Sequence, residues 1–189
     1  MIIEKKNIIR KELVKSIENI TSSETFPWGL YKEHYDLNKH LYTGIESKLN
    51  KKYNSQDTYQ LVHVAYKDKQ KIKTVYFPFF YELFEEIVQK VIKKDVQLLR
   101  LKVNLLFKKD KPSINIFHLD DSKDKDYKTI IYYINDSDGD TVIYNKGKLK
   151  RISPKAGKVL LLDGDLYHAS SNPNKYDIRK VININFKYV

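Results

Sequence analysis

The chain has 189 residues, 41% hydrophobic and 13% aromatic, which allows one globular domain with a sizeable core and excludes a disordered protein. It contains no cysteine, which rules out disulfides and Cys-ligated zinc or iron–sulfur sites and suits a reducing, cytoplasmic setting; no signal peptide or membrane-length apolar run is visible. The net charge of +11 is carried almost wholly by lysine, since only Arg10, Arg100, Arg151 and Arg179 are arginine, and with the heavy use of Asn, Ile and Tyr it reads as the bias of an AT-rich genome before it reads as a nucleic-acid surface.

In chain order, Lys11–Ile20 carries Leu13, Ile17 and Ile20 at helical spacing and predicts an amphipathic helix. Phe26-Pro27-Trp28-Gly29-Leu30-Tyr31 reads as an aromatic loop entering an extended piece, with Trp28 as a packing residue. His34 and His40 fall in a charged stretch and are expected at the surface. Tyr59–Tyr66 is rich in strand formers. Within it, His63 reads as a buried, hydrogen-bonded histidine ahead of a pocket residue. Pro78 can open a helix, and Phe80, Leu83, Phe84, Ile87, Val88, Val91 and Ile92 give that helix a wide apolar stripe.

From Gln97 the character changes to short strand-like runs: Leu98–Phe107, Ser113–Leu119, Lys128–Asn135, Asp140–Asn145, Lys148–Ile152, Lys158–Leu162, Tyr167–Ser170 and Ile178–Tyr188. Gly139, Gly147, Gly157 and Gly164 punctuate them. Such spacing predicts a mainly β protein, a two-sheet jelly roll (double-stranded β-helix) over residues 97–189, with helices packed on its major sheet. Residues 1–96 form a supporting region of helix and strand within the same single domain, 1–189. Alternation places Leu99, Leu101, Val103, Leu105 and Phe107 against the Pro78–Lys93 helix, and turns Arg100, Lys102 and Asn104 into the mouth between the sheets.

His118-Leu119-Asp120, followed by His168 and Arg179, is the chemical signature of the chain. Residues two apart on a strand share a side, so His118 and Asp120 can grip one metal ion from one strand end, with His168 arriving from another. Two imidazoles and one carboxylate form a facial set suited to non-haem Fe(II), with positions left open for chemistry. Arg179 offers a planar, permanently charged fork for a carboxylate. The charged run Asp121–Asp126 reads as a solvated loop, or a lid over the site.

The region from about Arg100 to Tyr188 resembles the 2-oxoglutarate- and Fe(II)-dependent dioxygenases, close to the prolyl-hydroxylase-like group and its small phage and marine bacterial members. The resemblance lies in the strand Arg100–Leu105, the His118-Leu119-Asp120 pair, Thr129–Asn135, Leu162-Asp163-Gly164, His168, and Arg179 heading the strand that ends Ile184-Asn185-Phe186. Asp138-Gly139-Asp140-Thr141 departs from the family's usual pair of glycines in keeping only one. The resemblance implies that His118, Asp120 and His168 bind Fe(II) and that Arg179 holds the far carboxylate of 2-oxoglutarate. It also implies that Tyr133 donates a hydrogen bond to that carboxylate and that Asn104 contacts the cosubstrate near the metal. A one-residue change of register would turn Tyr132 inward instead.

The implied activity is an O2-dependent hydroxylation of a C–H bond in a peptide, a prolyl residue first, or in a small molecule, with release of succinate and carbon dioxide. Two alternatives stand beside it. One is a nucleic-acid oxidative demethylase of the same superfamily, although Asn185 stands where such enzymes tend to carry a second arginine. The other is a non-catalytic jelly-roll binding module.

Overall fold

The computed structural model describes residues 1–32, 44–56, 58–121 and 126–189. His34, His40 and residues 122–125 of the charged run lie outside them. Strand β1 (Ile2–Lys5) leads into helix α1 (Lys11–Ser22), whose Leu13 and Ile17 are buried. Strand β2 (Gly29–Lys32), helix α2 (Ile45–Lys52) and strands β3 (Tyr59–Lys67) and β4 (Ile72–Lys73) follow. Helix α3 (Phe77–Ile87) opens with Pro78 in its first turn and runs into a π-helical turn, Val88–Ile92. Then come β5 (Val96–Phe107), β6 (Lys128–Tyr133), β7 (Thr141–Asn145), β8 (Lys148–Ile152), β9 (Val159–Asp163), β10 (His168–Ser170) and β11 (Ile178–Tyr188).

The major sheet has the order β1-β9-β6-β11-β5-β3-β2, with β4 paired to β3, and every pairing is antiparallel. A smaller sheet, β10-β7-β8, packs Ile143 and Ile152 against its inner face. This is the expected jelly roll with helices on the outer face. The N-terminal strands extend the major sheet and do not form a separate layer.

Side-chain alternation divides the core in two. On the outer face, Phe80, Leu83 and Ile87 of α3 meet Leu101, Val103, Tyr132, Ile182, Ile184 and Phe186. Each such fully buried side chain stabilises the fold by roughly 1.5–3 kcal/mol. Between the sheets lies a second cluster of Ile131, Tyr133, Ile143, Leu160, Leu162 and Val181. Tyr132 therefore faces the helices and Tyr133 the interior, as the register predicts.

Two expectations need correction. Leu99 does not share the helix-facing row: a bulge shifts the β11–β5 register from Asn185↔Arg100 to Phe186↔Leu98, so Leu98 takes the core position, and Phe107 at the far end is 46% exposed. Ser113–Leu119 is not a continuous strand. It runs beside β10 with two isolated bridges, Ile114↔Ser171 and His118↔His168, and Asn115 donates to Ser170 between them. At Phe117 the backbone is met by a side chain: Asn50 of α2 donates to the Phe117 carbonyl (3.1 Å) and accepts from the Phe117 N–H (2.8 Å).

Candidate metal centre

His118 and His168 are paired across the gap between their segments, each backbone N–H donating to the other's carbonyl at 3.0 and 3.2 Å. That bridge brings the rings to 4.9 Å between centroids. Each ring is oriented the same way: Nδ1 meets a backbone carbonyl two residues back, Ile116 for His118 (2.9 Å) and Leu166 for His168 (3.0 Å). Nδ1 must carry the proton to donate there, which leaves each Nε2 with a lone pair directed into the site. The Nε2 of His168 is buried and has no hydrogen-bond partner. Burial pushes His168 below its usual range, which favours the neutral form that can act as a ligand.

Asp120 completes the cluster. Its oxygens lie 4.0 Å from His118 Nε2 and 3.7 Å from His168 Nε2, and one ligand atom from each of the three residues falls within 4.8 Å of the others. The carboxylate is only 4% exposed. Arg100 donates to Oδ1 at 2.5 Å, while Thr129 and Asn185 donate to Oδ2 at 2.9 Å each. Desolvation alone would raise its pKa. The adjacent Arg100 guanidinium, helped by the hydrogen bond from Asn185, outweighs that and holds the carboxyl well below the usual range. Two neutral imidazoles and one anionic carboxylate, converging beside an orphaned buried nitrogen, fit a divalent transition metal.

The cleft that holds these groups also holds Arg179, Asn104, Gln60 and Asn183. Arg179 is 3% exposed. Its Nε donates to the Gly139 carbonyl at 2.6 Å and Nη2 to the Thr141 hydroxyl at 2.9 Å. No carboxylate among the described residues pairs with it; Asp140, the acid nearest in effect, is engaged by Arg151 at 3.4 Å. Burial pushes the guanidinium down, yet an arginine stays charged at neutral pH. Tyr133 donates to the same Thr141 hydroxyl at 2.8 Å, and burial raises its own pKa to about 12. Gly139 is required here, because a Cβ would stand 2.6 Å from the Ser171 carbonyl and 2.9 Å from Arg179 Cδ.

No family model and no curated protein matches the chain. Solved structures do. A 2OG-Fe(II) oxygenase family oxidoreductase from Burkholderia pseudomallei aligns with a TM-score of 0.72 at 12% identity, over 98% of this chain and 84% of that one. HygX from Streptomyces hygroscopicus, with nickel, 2-oxoglutarate and hygromycin B bound, aligns at 0.59 and 13% identity over 100% and 83%. A prolyl hydroxylase from Trichoplax adhaerens, in complex with a peptide fragment of hypoxia inducible factor, aligns at 0.57 and 12% identity over 99% and 83%. This is the fold of the 2-oxoglutarate and Fe(II) oxygenases.

On the oxygenase fold, His118, His168 and Arg179 line one cleft, with Asp120 grouped with the two histidines and Tyr133 bonded to Thr141 in the cleft wall. Asn104 lines the same cleft, but its amide donates to Gln60 at 2.6 Å. His63 lies elsewhere, buried and hydrogen-bonded to the Pro27 carbonyl and the Thr74 hydroxyl, and Trp28 packs on the outer core. Sequence reasoning missed the holders of Asp120 and the role of Thr141. Alternation already turned Arg100 inward; Thr129 shares the parity of Tyr133 and Asn185 that of Arg179, and that was the available signal.

Proposed function

We propose that the protein is an Fe(II)- and 2-oxoglutarate-dependent dioxygenase that hydroxylates a C–H bond of a peptide or small molecule. One observation carries the reading: the cleft lined by His118 and His168, whose ligand atoms lie within 4.8 Å of one another and of Asp120, also holds a buried guanidinium that has no acidic partner among the described residues. A buried cation is costly unless an anion meets it, so Arg179 is matched to a carboxylate that arrives with a ligand.

In this reading His118, Asp120 and His168 hold the metal, and Arg179 binds the far carboxylate of 2-oxoglutarate through its planar fork. Thr141 already accepts from Arg179 and Tyr133, so its own hydroxyl proton remains to be donated to that carboxylate, with Tyr133 as the alternative donor after a rotation. Asn104 and Gln60 form the wall beside the metal. When bound, iron and 2-oxoglutarate supply the oxidising power, with O2 as oxidant and succinate and carbon dioxide as products. The chain contributes orientation of the bound groups. The cysteine-free sequence suits a cytoplasmic setting. The demethylase alternative gains nothing from Asn185, which is spent on Asp120 and Thr129.

Anaerobic addition of Fe(II) and 2-oxoglutarate is the direct test. A weak visible charge-transfer band is expected, lost in His168→Ala. Folded protein that binds Fe(II) but gives no band with 2-oxoglutarate would overturn the cosubstrate assignment.

A further inference from the structure

The four lone-pair positions of the Asp120 carboxylate are nearly all occupied before any metal arrives. An ionised carboxylate offers about two on each oxygen. Thr129 and Asn185 use both on Oδ2, and Arg100 uses one on Oδ1. One position remains, on Oδ1. The three donors come from one row across the sheet, since Arg100 on β5 faces Asn185 on β11, which faces Thr129 on β6. Neighbouring strands fix that row.

We propose, on the metal-site reading above, that Arg100 is a positioning residue that shares Oδ1 of Asp120 with the metal and weakens the metal's hold. Without metal, the guanidinium is the counter-ion of a carboxylate that is 4% exposed, and keeps the site folded. With metal, a dication and a guanidinium face each other across one oxygen. Their repulsion in a poorly solvated site lowers affinity and makes the ion exchangeable. A metal held here would find its open lone-pair position on Oδ1, because both on Oδ2 already accept from Thr129 and Asn185.

A purely structural Arg100 predicts something different: removing it would loosen Asp120 and weaken metal binding. The test is a Co(II) titration against a competing chelator, on wild type, Arg100→Gln, Arg100→Met and Arg100→Lys. Thermal unfolding is recorded in EDTA and in excess Co(II). The neutral variants are expected to bind Co(II) about tenfold or more tightly than wild type. They should also unfold at a lower temperature in EDTA, and gain more from added Co(II). Arg100→Lys, a shorter and better hydrated cation, should bind about threefold more tightly, which keeps the test open if both neutral variants fail to fold. Unchanged or weaker binding in every folded variant overturns the inference alone. Wild-type protein that binds no Co(II), when His168→Ala behaves the same, overturns the metal-site reading and this inference with it.

Discussion

Replacing Arg179 with methionine should make the ligand-free protein more stable while destroying its capacity for 2-oxoglutarate. The guanidinium is 3% exposed, and its neighbours are the Gly139 carbonyl and the Thr141 hydroxyl, not a carboxylate. An uncompensated buried charge costs about 3–5 kcal/mol, and methionine of similar volume removes that cost. Against it stands the Gly139 carbonyl, left without its partner, at about 1–3 kcal/mol. Thr141 keeps its bond from Tyr133. The difference is a gain of about 2 kcal/mol, or roughly 4–8 °C in the unfolding midpoint for a domain of this size. Binding moves the other way. Loss of a buried charge-assisted fork should cost about 3–4 kcal/mol, a weakening of about 100-fold or more. Urea unfolding of the metal-free proteins and anaerobic 2-oxoglutarate titration of the Fe(II) forms measure the two halves. A methionine variant less stable than wild type would show that Arg179 is a structural residue, and a variant that binds 2-oxoglutarate normally would remove it from the site.

Asp120→Asn should abolish Co(II) binding and destabilise the metal-free protein by about 3 kcal/mol, because Arg100 loses its counter-charge in a largely buried position; chelator competition and urea unfolding read both. Gly139→Ala should cost about 2–3 kcal/mol and weaken 2-oxoglutarate binding about tenfold or more, since the new methyl must displace the Ser171 backbone or the Arg179 stem; a variant with wild-type unfolding and binding would contradict the packing argument. His63 is held below its ordinary 6.5 by burial, despite its bond to Pro27. The native state then binds fewer protons than the unfolded state, so this contribution is whole above about 6.5 and declines as pH falls toward the folded value. Urea midpoints should fall on acidification in wild type, and less steeply in His63→Gln.

Much of the candidate ligand set was legible because it depends on local spacing. His118 and Asp120 sit two apart, and Arg179 and Asn185 share a face of one strand, whatever the rest of the chain does. Helix α3 was legible for a similar reason, through Phe80, Leu83, Phe84 and Ile87. The unread parts depend on distant partners. Nothing around Ile2–Lys5 says that it pairs with Leu162–Val159 at the far edge of the sheet. Helix α2 has only Leu49 and Asn50 buried, too few to give a periodic stripe. Its purpose shows only once Asn50 is seen clamping Phe117, immediately before His118 of the candidate metal centre. The Ser113–Leu119 run looked like a strand because its composition suits one, but a carboxamide takes the place of the neighbouring strand.

The bulge in β5 shows how the sheet serves both faces. In Val96-Gln97-Leu98-Leu99-Arg100-Leu101 strict alternation sets Gln97 and Leu99 beside Leu101 against the helices, a polar group in an apolar layer. The extra residue switches the parity, so Val96 and Leu98 pack there and Gln97 is exposed. The switch falls just beyond the Asn185↔Arg100 pair. On one side of it the strand obeys the outer core. On the other, Arg100, Lys102 and Asn104 keep the inward parity that the cleft needs. Were the bulge one pair earlier, Arg100 would turn toward the helices and Asp120 would lose its counter-ion, because a shift of one residue reverses every side chain beyond it. The adjacent leucines at 98 and 99 are thus the mark in the sequence where packing and chemistry make different demands on one strand, and the bulge lets each be met.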